Sequence, residues 1–281
     1  MFVSLVVGTV GRTEEVSRLL DSLARQTCQR FEVIIVDQNP DGRLEDILHR
    51  YAHALQIAHV RTECRGLSRA RNIGIQSCVG DVLGFPDDDC WYSPSAVDYV
   101  ISAFRRNPSW DGLSGQVRDA QGQASAARQA KRSQLVDRRN AWHTGSSVSL
   151  FVRREVALRL KGFEEQLGVG AGTPWGAGEE TDFILRGLDR GFLFYYDSML
   201  TVFHPQSVTQ YGRLSWGRAR QYGAGIGRVM RRHRYPARLF VLECTRSAFG
   251  SVIALAGGHP GKARYYLSAL AGKLLGWFSG E

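Results

Sequence analysis

Two hydrophobic patterns alternate along the first half of the chain. Short, mostly apolar runs predict buried strands at residues 2–7, 31–37, 56–60 and 81–87. Between them, apolar residues recur at helical spacing and predict helices at residues 12–26, 44–54 and 66–79. Because strands that alternate with helices of this length form right-handed βαβ units, we expect an α/β fold with a mainly parallel sheet flanked by helices.

The pattern loosens after residue 110. Residues 110–150 are polar and rich in Arg, Gln and Ala, and we interpret them either as a solvated insertion or as a mobile flap over a ligand. Regular elements then return as a strand with a helix (144–163), a glycine-rich loop with an acidic helix (168–192) and a pair of strands (192–205). We therefore predict an α/β domain at 1–210, followed by a basic, amphipathic helical segment at 211–281.

Composition limits the classes of protein that fit. The chain has 281 residues, 43% of them hydrophobic, so it can bury one large core. Its net charge of +9 suits an anionic partner such as nucleic acid, a nucleotide phosphate or an acidic membrane. The five cysteines form no CxxC pair, which favours a reducing, cytoplasmic compartment. The apolar start is read as a strand because it lacks a basic leader region, and no apolar run is long enough to predict a membrane span.

Polar residues stand where three of the predicted strands end. Thr9 ends the first strand, Asp37 ends the second, and the triplet Asp87–Asp89 ends a later one. Because the carboxyl ends of parallel strands meet at one edge of a sheet, we expect these residues to converge. Asp87 and Asp89 have a spacing that suits Mg²⁺ or Mn²⁺, which prefer carboxylate oxygens. The alternative interpretation of the triplet is an exposed turn.

A second acidic group, Glu179, Glu180 and Asp182, begins the helix after the glycine-rich loop. A carboxylate there can act as a general base for an acceptor hydroxyl, and the alternative is plain stabilisation of the helix N-terminus. Trp175, just before this group, offers a face on which an acceptor ring can stack. His204 closes the last predicted strand and is either a metal ligand or a structural histidine.

Four segments resemble, in their order and spacing, glycosyltransferase family 2, the inverting transferases of the GT-A fold. They are SLVVGTVGR (4–12), FEVIIVDQNPDG (31–42), GLSRARNIGIQSCVGDVLGFPDDDCWYSP (66–94) and GAGEETDFILRG (176–187). The resemblance covers residues 1–205. It implies a Rossmann-like GT-A domain at 1–210 that binds a nucleotide sugar and carries the catalytic residues, with a short helical C-terminal appendage.

The resemblance also implies roles for single residues. Donor nucleotide binding falls on Thr9, Gly11, Arg12, Asp37, Arg71, Asp87 and Asp88. The metal-binding Asp-x-Asp motif falls on Asp87 and Asp89, with His204 as a further contact, and the implied cofactor is Mn²⁺ or Mg²⁺. The general base falls on Glu180. This sequence has Glu-Glu where the family commonly has Glu-Asp, which keeps Glu179 and Asp182 as alternatives, and Trp175 is the candidate acceptor contact.

The resulting hypothesis is a metal-dependent, inverting glycosyltransferase that moves a sugar from a nucleoside diphosphate sugar, with UDP favoured, to an acceptor hydroxyl. The implied acceptor is a saccharide or a lipid-linked saccharide, as in surface polysaccharide assembly. Single addition is favoured because the Gln-x-x-Arg-Trp motif of processive members is absent. The alternatives are an inactive sugar-nucleotide binder and, on charge alone, a nucleic-acid-binding protein. The acidic triplet at the ligand edge argues against nucleic acid, because it would repel a phosphate backbone.

The basic segment at 213–238 has two interpretations. It is either a solvated helical surface or an electrostatic dock for an anionic lipid-linked acceptor or the membrane itself. The second interpretation is supported by the basic and apolar residues near the end of the chain, Lys273, Leu274, Leu275, Trp277 and Phe278. We therefore expect a cytoplasmic protein, with peripheral contact to the inner face of the cell membrane as an open alternative. The segment GAGIG at 223–227 is discounted as a dinucleotide-binding turn because no strand leads into it.

Overall fold

The computed structural model describes residues 1–125, 129–206 and 210–279. It consists of two compact units, one of Met1–Phe163 and Phe183–Ser207, the other of Glu164–Asp182 and Val208–Glu281. The sequence pattern predicts a single boundary after residue 210. In the structure the second unit also contains residues 164–182, which lie between two parts of the first unit in the sequence.

Strands and helices alternate through the first unit. Its strands are β1 (Val3–Thr9), β2 (Phe31–Asp37), β3 (Ile57–Arg61), β4 (Val82–Gly84), β5 (Trp91–Tyr92), β6 (Gly112–Arg118), β7 (Gln134–Leu135), β8 (Phe151–Arg153) and β9 (Phe194–Phe203). The helices are α1 (Glu14–Ala24), α2 (Glu45–Tyr51), α3 (Leu67–Ser77), α4 (Ala96–Arg106), α5 (Ala141–Thr144), α6 (Arg154–Arg159) and α7 (Glu179–Leu188). A 3-10 turn at Ser147–Ser149 precedes β8, and the first turn of α7 belongs to the second unit.

The nine strands among the described residues form one sheet, in the order β3-β2-β1-β4-β8-β6-β9-β5 with β7 also paired to β9. The neighbours from β3 to β4 are parallel, as their alternation with helices predicts. Beyond β4 the sheet is mixed, because β8 runs antiparallel to both β4 and β6 while β6 and β9 are parallel. The expectation of a mainly parallel sheet therefore describes only the first half of the sheet.

Strand β9 replaces the pair of strands expected at 192–205. It is a single strand, but its register against β6 shifts: Gly115 pairs with Asp197, and the next residue, Gln116, pairs with Thr201. The extra residues in β9 bring Leu200 close to Gly115, where a Cβ would lie 2.4 Å from the carbonyl oxygen of Leu200. The absence of a side chain at Gly115 thus accommodates this register shift, so β9 continues as one strand where the sequence predicts two.

The helices pack on the sheet through apolar faces. Helix α1 buries Val16, Leu19, Leu20 and Leu23, which are spaced as one face of a helix. Helix α3 lies close to β1 at Gly74, which has no side chain: a Cβ at this position would lie 2.3 Å from the Cγ1 atom of Val6. This close approach fixes α3, and with it Arg71, beside the strands that carry the predicted site.

The second unit contains α8 (Arg213–Arg232), α9 (Ala237–Ala256) and α10 (Pro260–Phe278). Helices α8 and α10 meet through glycines four residues apart, Gly223 and Gly227 on α8 and Gly272 and Gly276 on α10. A Cβ on Gly276 would lie 2.0 Å from the carbonyl oxygen of Ala224. The segment GAGIG therefore lies inside α8 and allows close helix packing, in agreement with its rejection as a dinucleotide-binding turn.

The substitution Gly276→Ala tests this packing, and Gly217→Ala on α8 is the matched control. Alanine favours a helix over glycine by about 1 kcal/mol, and a Cβ at Gly217 meets no atom within 4 Å, so the control should unfold at higher urea concentration. At Gly276 the added methyl meets backbone, so the free energy of unfolding should fall by about 1–3 kcal/mol. Stabilisation by both substitutions would contradict the glycine-mediated contact.

Candidate active site

The ends of β1, β2 and β4 bring the predicted polar residues to one edge of the sheet. Thr9 and Asp37 are paired in register at the last positions of β1 and β2. The triplet follows β4, which pairs with β1 on its other side. The hydroxyl of Thr9 donates a hydrogen bond of 2.7 Å to Oδ2 of Asp88. The structure thus brings the end of the first strand and the acidic triplet into direct contact.

Asp88 is the internal member of the triplet. It is buried, and both of its oxygens are engaged, one by Thr9 and the other by the guanidinium of Arg12. Burial raises the pKa of Asp88 to about 6, although Arg12 and Thr9 favour its ionised form. Three residues predicted to bind the donor nucleotide are therefore bonded to one another here, and their contact with a nucleotide stays a prediction.

Asp87, Asp89 and His204 form a cluster of potential metal ligands. One ligand atom from each lies within 4.8 Å of the others, and all three side chains are partly accessible. Nε2 of His204 is 3.1 Å from Oδ1 of Asp89 and 3.9 Å from Oδ2 of Asp87. Nδ1 of His204 is 2.6 Å from the carbonyl oxygen of Pro205. This contact suits a proton on Nδ1, which would direct the Nε2 lone pair toward the two carboxylates.

The electrostatics of this cluster favour a charged pair. Burial raises the pKa of Asp89, but the hydrogen bond and charge of His204 and the charge of Arg12 outweigh it and leave the pKa below its usual value. Burial lowers the pKa of His204, but its bond to Asp89 and the charges of Asp89 and Asp87 outweigh that effect and raise the pKa. Either a proton on His204 or a bound cation would offset the negative charge of Asp87 and Asp89.

Arg71 holds Asp87 in place from within the fold. Its side chain is fully buried, and Nη2 donates a hydrogen bond of 2.9 Å to Oδ1 of Asp87. The Cζ atom of Arg71 lies 5.2 Å from the centre of the Phe163 ring, so the guanidinium is packed over an aromatic face. The role of Arg71 near a base or diphosphate stays a prediction. In the structure it positions a carboxylate of the candidate metal site.

Asp37 is buried at the end of β2 with a partner for each oxygen. Its Oδ1 accepts hydrogen bonds from the backbone and side-chain nitrogens of Asn39, at 2.8 and 2.7 Å, and its Oδ2 is 3.0 Å from Nε2 of His59. Asn39 in turn accepts a 2.6 Å hydrogen bond from the backbone nitrogen of Gly11, which has a positive φ of 77°. Asn39 thereby links two residues of the predicted nucleotide site.

The first turn of α7, which carries the acidic residues, lies in the second unit, and the later turns of the helix lie in the first. Of its three candidates, Glu179 and Asp182 are buried and Glu180 is half-buried. Oδ1 of Asp182 is 2.8 Å from Nε2 of His233 and 3.8 Å from Nε of Arg232. Asp182 therefore ties the start of α7 to the C-terminal end of α8, which is an internal structural contact.

Trp175 lies in the loop before α7. The Cζ atom of Arg228 lies 5.0 Å from the centre of its ring, so a cation covers one face of the predicted stacking surface. Its buried indole nitrogen has no hydrogen-bond partner among the described residues. The acceptor role of Trp175 stays a prediction.

Sequence reasoning missed four residues that support these groups. Asn39 and His59 hold Asp37, His233 holds Asp182, and Arg18 donates a 2.9 Å hydrogen bond to the backbone carbonyl of Asp89. Asn39 had a detectable signal, because an Asp side chain commonly accepts a hydrogen bond from the backbone N–H two residues further along the chain. The other three act across long sequence separations, and no local pattern marks them.

Comparisons with known proteins agree with this geometry. Residues 4–162 match the sequence model described as "Glycosyl transferase family 2". A relative described as an uncharacterized glycosyltransferase from Haemophilus influenzae is 35% identical over 107 residues, which are 38% of this chain and 35% of the relative. The chain thus matches about a third of the length of that relative.

Solved structures share the fold at low sequence identity. The mannosyltransferase PcManGT from Pyrobaculum calidifontis, in complex with GDP-Man and Mn²⁺, has a TM-score of 0.66 at 16% identity, over 97% of this chain and 86% of that chain. TarS 1–349 from S. aureus, in complex with UDP-GlcNAc, has a TM-score of 0.63 at 15% identity, over 98% and 91%. These likenesses confirm the predicted GT-A fold class. By the match of more than half of its length, the chain belongs to glycosyl transferase family 2.

Proposed function

We propose that this protein is an enzyme that transfers a sugar from a nucleoside diphosphate sugar to an acceptor hydroxyl. The observation that carries the proposal is the cluster of Asp87, Asp89 and His204 at the carboxyl edge of parallel strands, in a chain of a glycosyltransferase family. Open sheets of this kind bind ligands at that edge. Two of the solved neighbours are complexes with nucleotide sugars, which supports a donor of the same class.

The donor set of the cluster fits a divalent cation. Two carboxylate oxygens and one imidazole nitrogen suit Mn²⁺ better than Mg²⁺, because imidazole is a poorer ligand for the harder ion. Arg71 fixes Asp87, and the Pro205 carbonyl orients His204, so the ligands are held before any ion binds. A bound cation would supply neutralising charge for the diphosphate leaving group.

The nucleoside is proposed to bind beside Thr9, Gly11 and Asp37. Oδ1 of Asp37 already accepts two hydrogen bonds from Asn39, whereas Oδ2 has His59 as its single partner among the described residues, so a base that contacts Asp37 would add a bond at Oδ2 or bind through the Gly11–Asn39 link. UDP remains the favoured donor nucleotide, and the neighbours include both a UDP-sugar and a GDP-sugar complex.

Glu180 is the proposed general base for a single displacement with inversion. It is the most accessible of the three candidates, because Asp182 is fully buried against His233 and Glu179 is only 5% exposed. A carboxylate that takes a proton from an acceptor must be reachable by that acceptor. The proposed acceptor is a saccharide or a lipid-linked saccharide, approached at Trp175, with one sugar added per encounter.

Asp89→Asn tests the metal site, with Asp46→Asn on the exposed start of α2 as the matched control. In calorimetric titrations of UDP, GDP, dTDP and CDP with Mn²⁺, one nucleotide should bind the unchanged protein, and chelation should abolish the binding. Asp89→Asn should weaken metal-dependent binding by about 100-fold or more, because it removes a ligand that must be anionic. Asp46→Asn should bind normally. Equal binding by both variants, with and without chelator, would remove the metal from the proposal.

Glu180→Gln tests the general base, with Glu165→Gln in the same unit as control. Loss of a base should lower turnover by about 10²-fold or more while nucleotide affinity stays within a few-fold, since the amide cannot accept the proton. Single-turnover transfer and calorimetry measure the two effects separately. Full activity in Glu180→Gln would move the role to Glu179 or Asp182. Nucleotide binding without any transfer by the unchanged protein would favour the inactive sugar-nucleotide binder, which the Glu-Glu pair keeps as the second candidate.

A further inference from the structure

Helix α9 exposes most of its large apolar residues and buries two serines, unlike an ordinary helix of a water-soluble protein. The residues it buries are Phe240, Ser247, Ser251 and Ala254. The large apolar residues exposed on it are Val241, Leu242, Phe249, Val252, Ile253 and Leu255. Amphipathic helices in water normally bury the apolar stripe and expose the polar one. The side of α9 that faces away from the protein is therefore the side suited to an apolar medium.

The inner side of α9 is organised around a buried cation. Lys273 on α10 is 5% exposed, and its Nζ donates hydrogen bonds to the backbone carbonyl of Glu243 at 2.8 Å and to the hydroxyl of Ser247 at 3.0 Å. Oε2 of Glu243 is 3.5 Å from the same nitrogen. Buried charge must be paired and hydrogen-bonded, so these contacts fix which side of α9 faces inward. The apolar residues cannot turn inward without breaking them.

Helix α10 exposes a second apolar stripe. Leu267, Leu274, Leu275 and Phe278 recur at helical spacing and are all exposed, with Phe278 at 75%. The other sides of α10 pack on α8 through glycines and on α9 through the stack of Trp277 with Phe240. Two adjoining helices of one unit thus each leave an apolar stripe uncovered. Apolar stripes exposed on adjoining helices are typical of a binding surface.

Charge indicates what covers these stripes. Between residues 213 and 278 the chain has ten arginines and two lysines but one acidic residue, Glu243, so this segment holds the whole positive excess of the chain. Arg238, Arg246 and Arg264 are exposed on the same two helices as the apolar stripes. Two copies of the segment would repel each other, whereas the anionic headgroups of a bilayer complement it.

We propose that α9 and α10 dock on the surface of an anionic membrane, with their apolar stripes in the interface and the arginines among the headgroups. Among the described residues α9 is the one helix long and apolar enough to span a bilayer by length and composition, with a mean hydropathy of 1.5 over 18 residues. The charges of Glu243 and Arg246 would then lie in hydrocarbon, so we place the helix in the interface plane. The docking rests on the proposed function in one respect: a lipid-linked acceptor would be located at a membrane, and docking would bring the enzyme to it.

Vesicle sedimentation with the full chain tests the docking. Phosphatidylcholine vesicles with about a third phosphatidylglycerol should bind the protein at least about tenfold more tightly than pure phosphatidylcholine, and added salt should weaken the binding. The double substitution Phe249→Ser with Ile253→Ser should reduce binding by about tenfold or more, because it removes two exposed apolar side chains. Met199→Ser in the first unit, where Met199 is 76% exposed, is the matched control and should bind like the unchanged protein.

Three results would overturn the docking. One is equal or absent binding to the two kinds of vesicle. Another is a dimer in ultracentrifugation that the double substitution converts to monomer, which would assign the stripes to a second copy. The third is resistance of vesicle-bound protein to extraction by salt and carbonate, which would indicate a spanning helix. Calorimetric nucleotide binding without vesicles reports on sugar-donor recognition separately, so failure of one proposal leaves the other measurable.

Discussion

The first unit depends on keeping three adjacent carboxylates close together in a partly buried place. Neighbouring like charges repel, and the repulsion grows as water is excluded. The structure places a cationic side chain beside each carboxylate: Arg71 beside Asp87, Arg12 beside both Asp88 and Asp89, and His204 beside Asp89. These partners come from α3, the β1–α1 connection and the end of β9, so the charge balance of the triplet depends on contacts between distant parts of the chain.

The place of these carboxylates in the fold was predictable from the sequence, but their hydrogen-bond and ion-pair partners were not. The strand ends that carry Thr9, Asp37 and the triplet follow from hydrophobic runs and from the geometry of parallel sheets, and the structure places them at one edge. The sequence marks Arg71 as a residue near the donor, but the structure shows it bonded to Asp87 through a fully buried side chain. A local pattern identifies the type of residue. Its partner depends on packing between distant parts of the chain.

The same limit applies to the sheet and to the second unit. The parallel half of the sheet follows from alternating strands and helices, whereas β8 inserts between β4 and β6 through pairings that no periodicity encodes. The sequence alone does not show the role of the glycines in GAGIG, because that role depends on α10 packing against α8 at these positions. The orientation of α9 also cannot be predicted from composition, because apolar residues occur on most sides of the helix and only the contacts of Lys273 show which side faces inward.

The division of the chain has a consequence for its modularity. Residues 164–182 are part of the second unit, yet they are inserted between β8 with α6 and the later turns of α7. The C-terminal helices are therefore not a tail that can be removed or exchanged as one continuous piece. A chain cut before α8 would leave Asp182 without its contact to His233, and a graft of α8–α10 onto another domain would lack the loop segment that packs on α8. An exchange of the second unit between proteins would therefore have to replace two separate segments of the chain together.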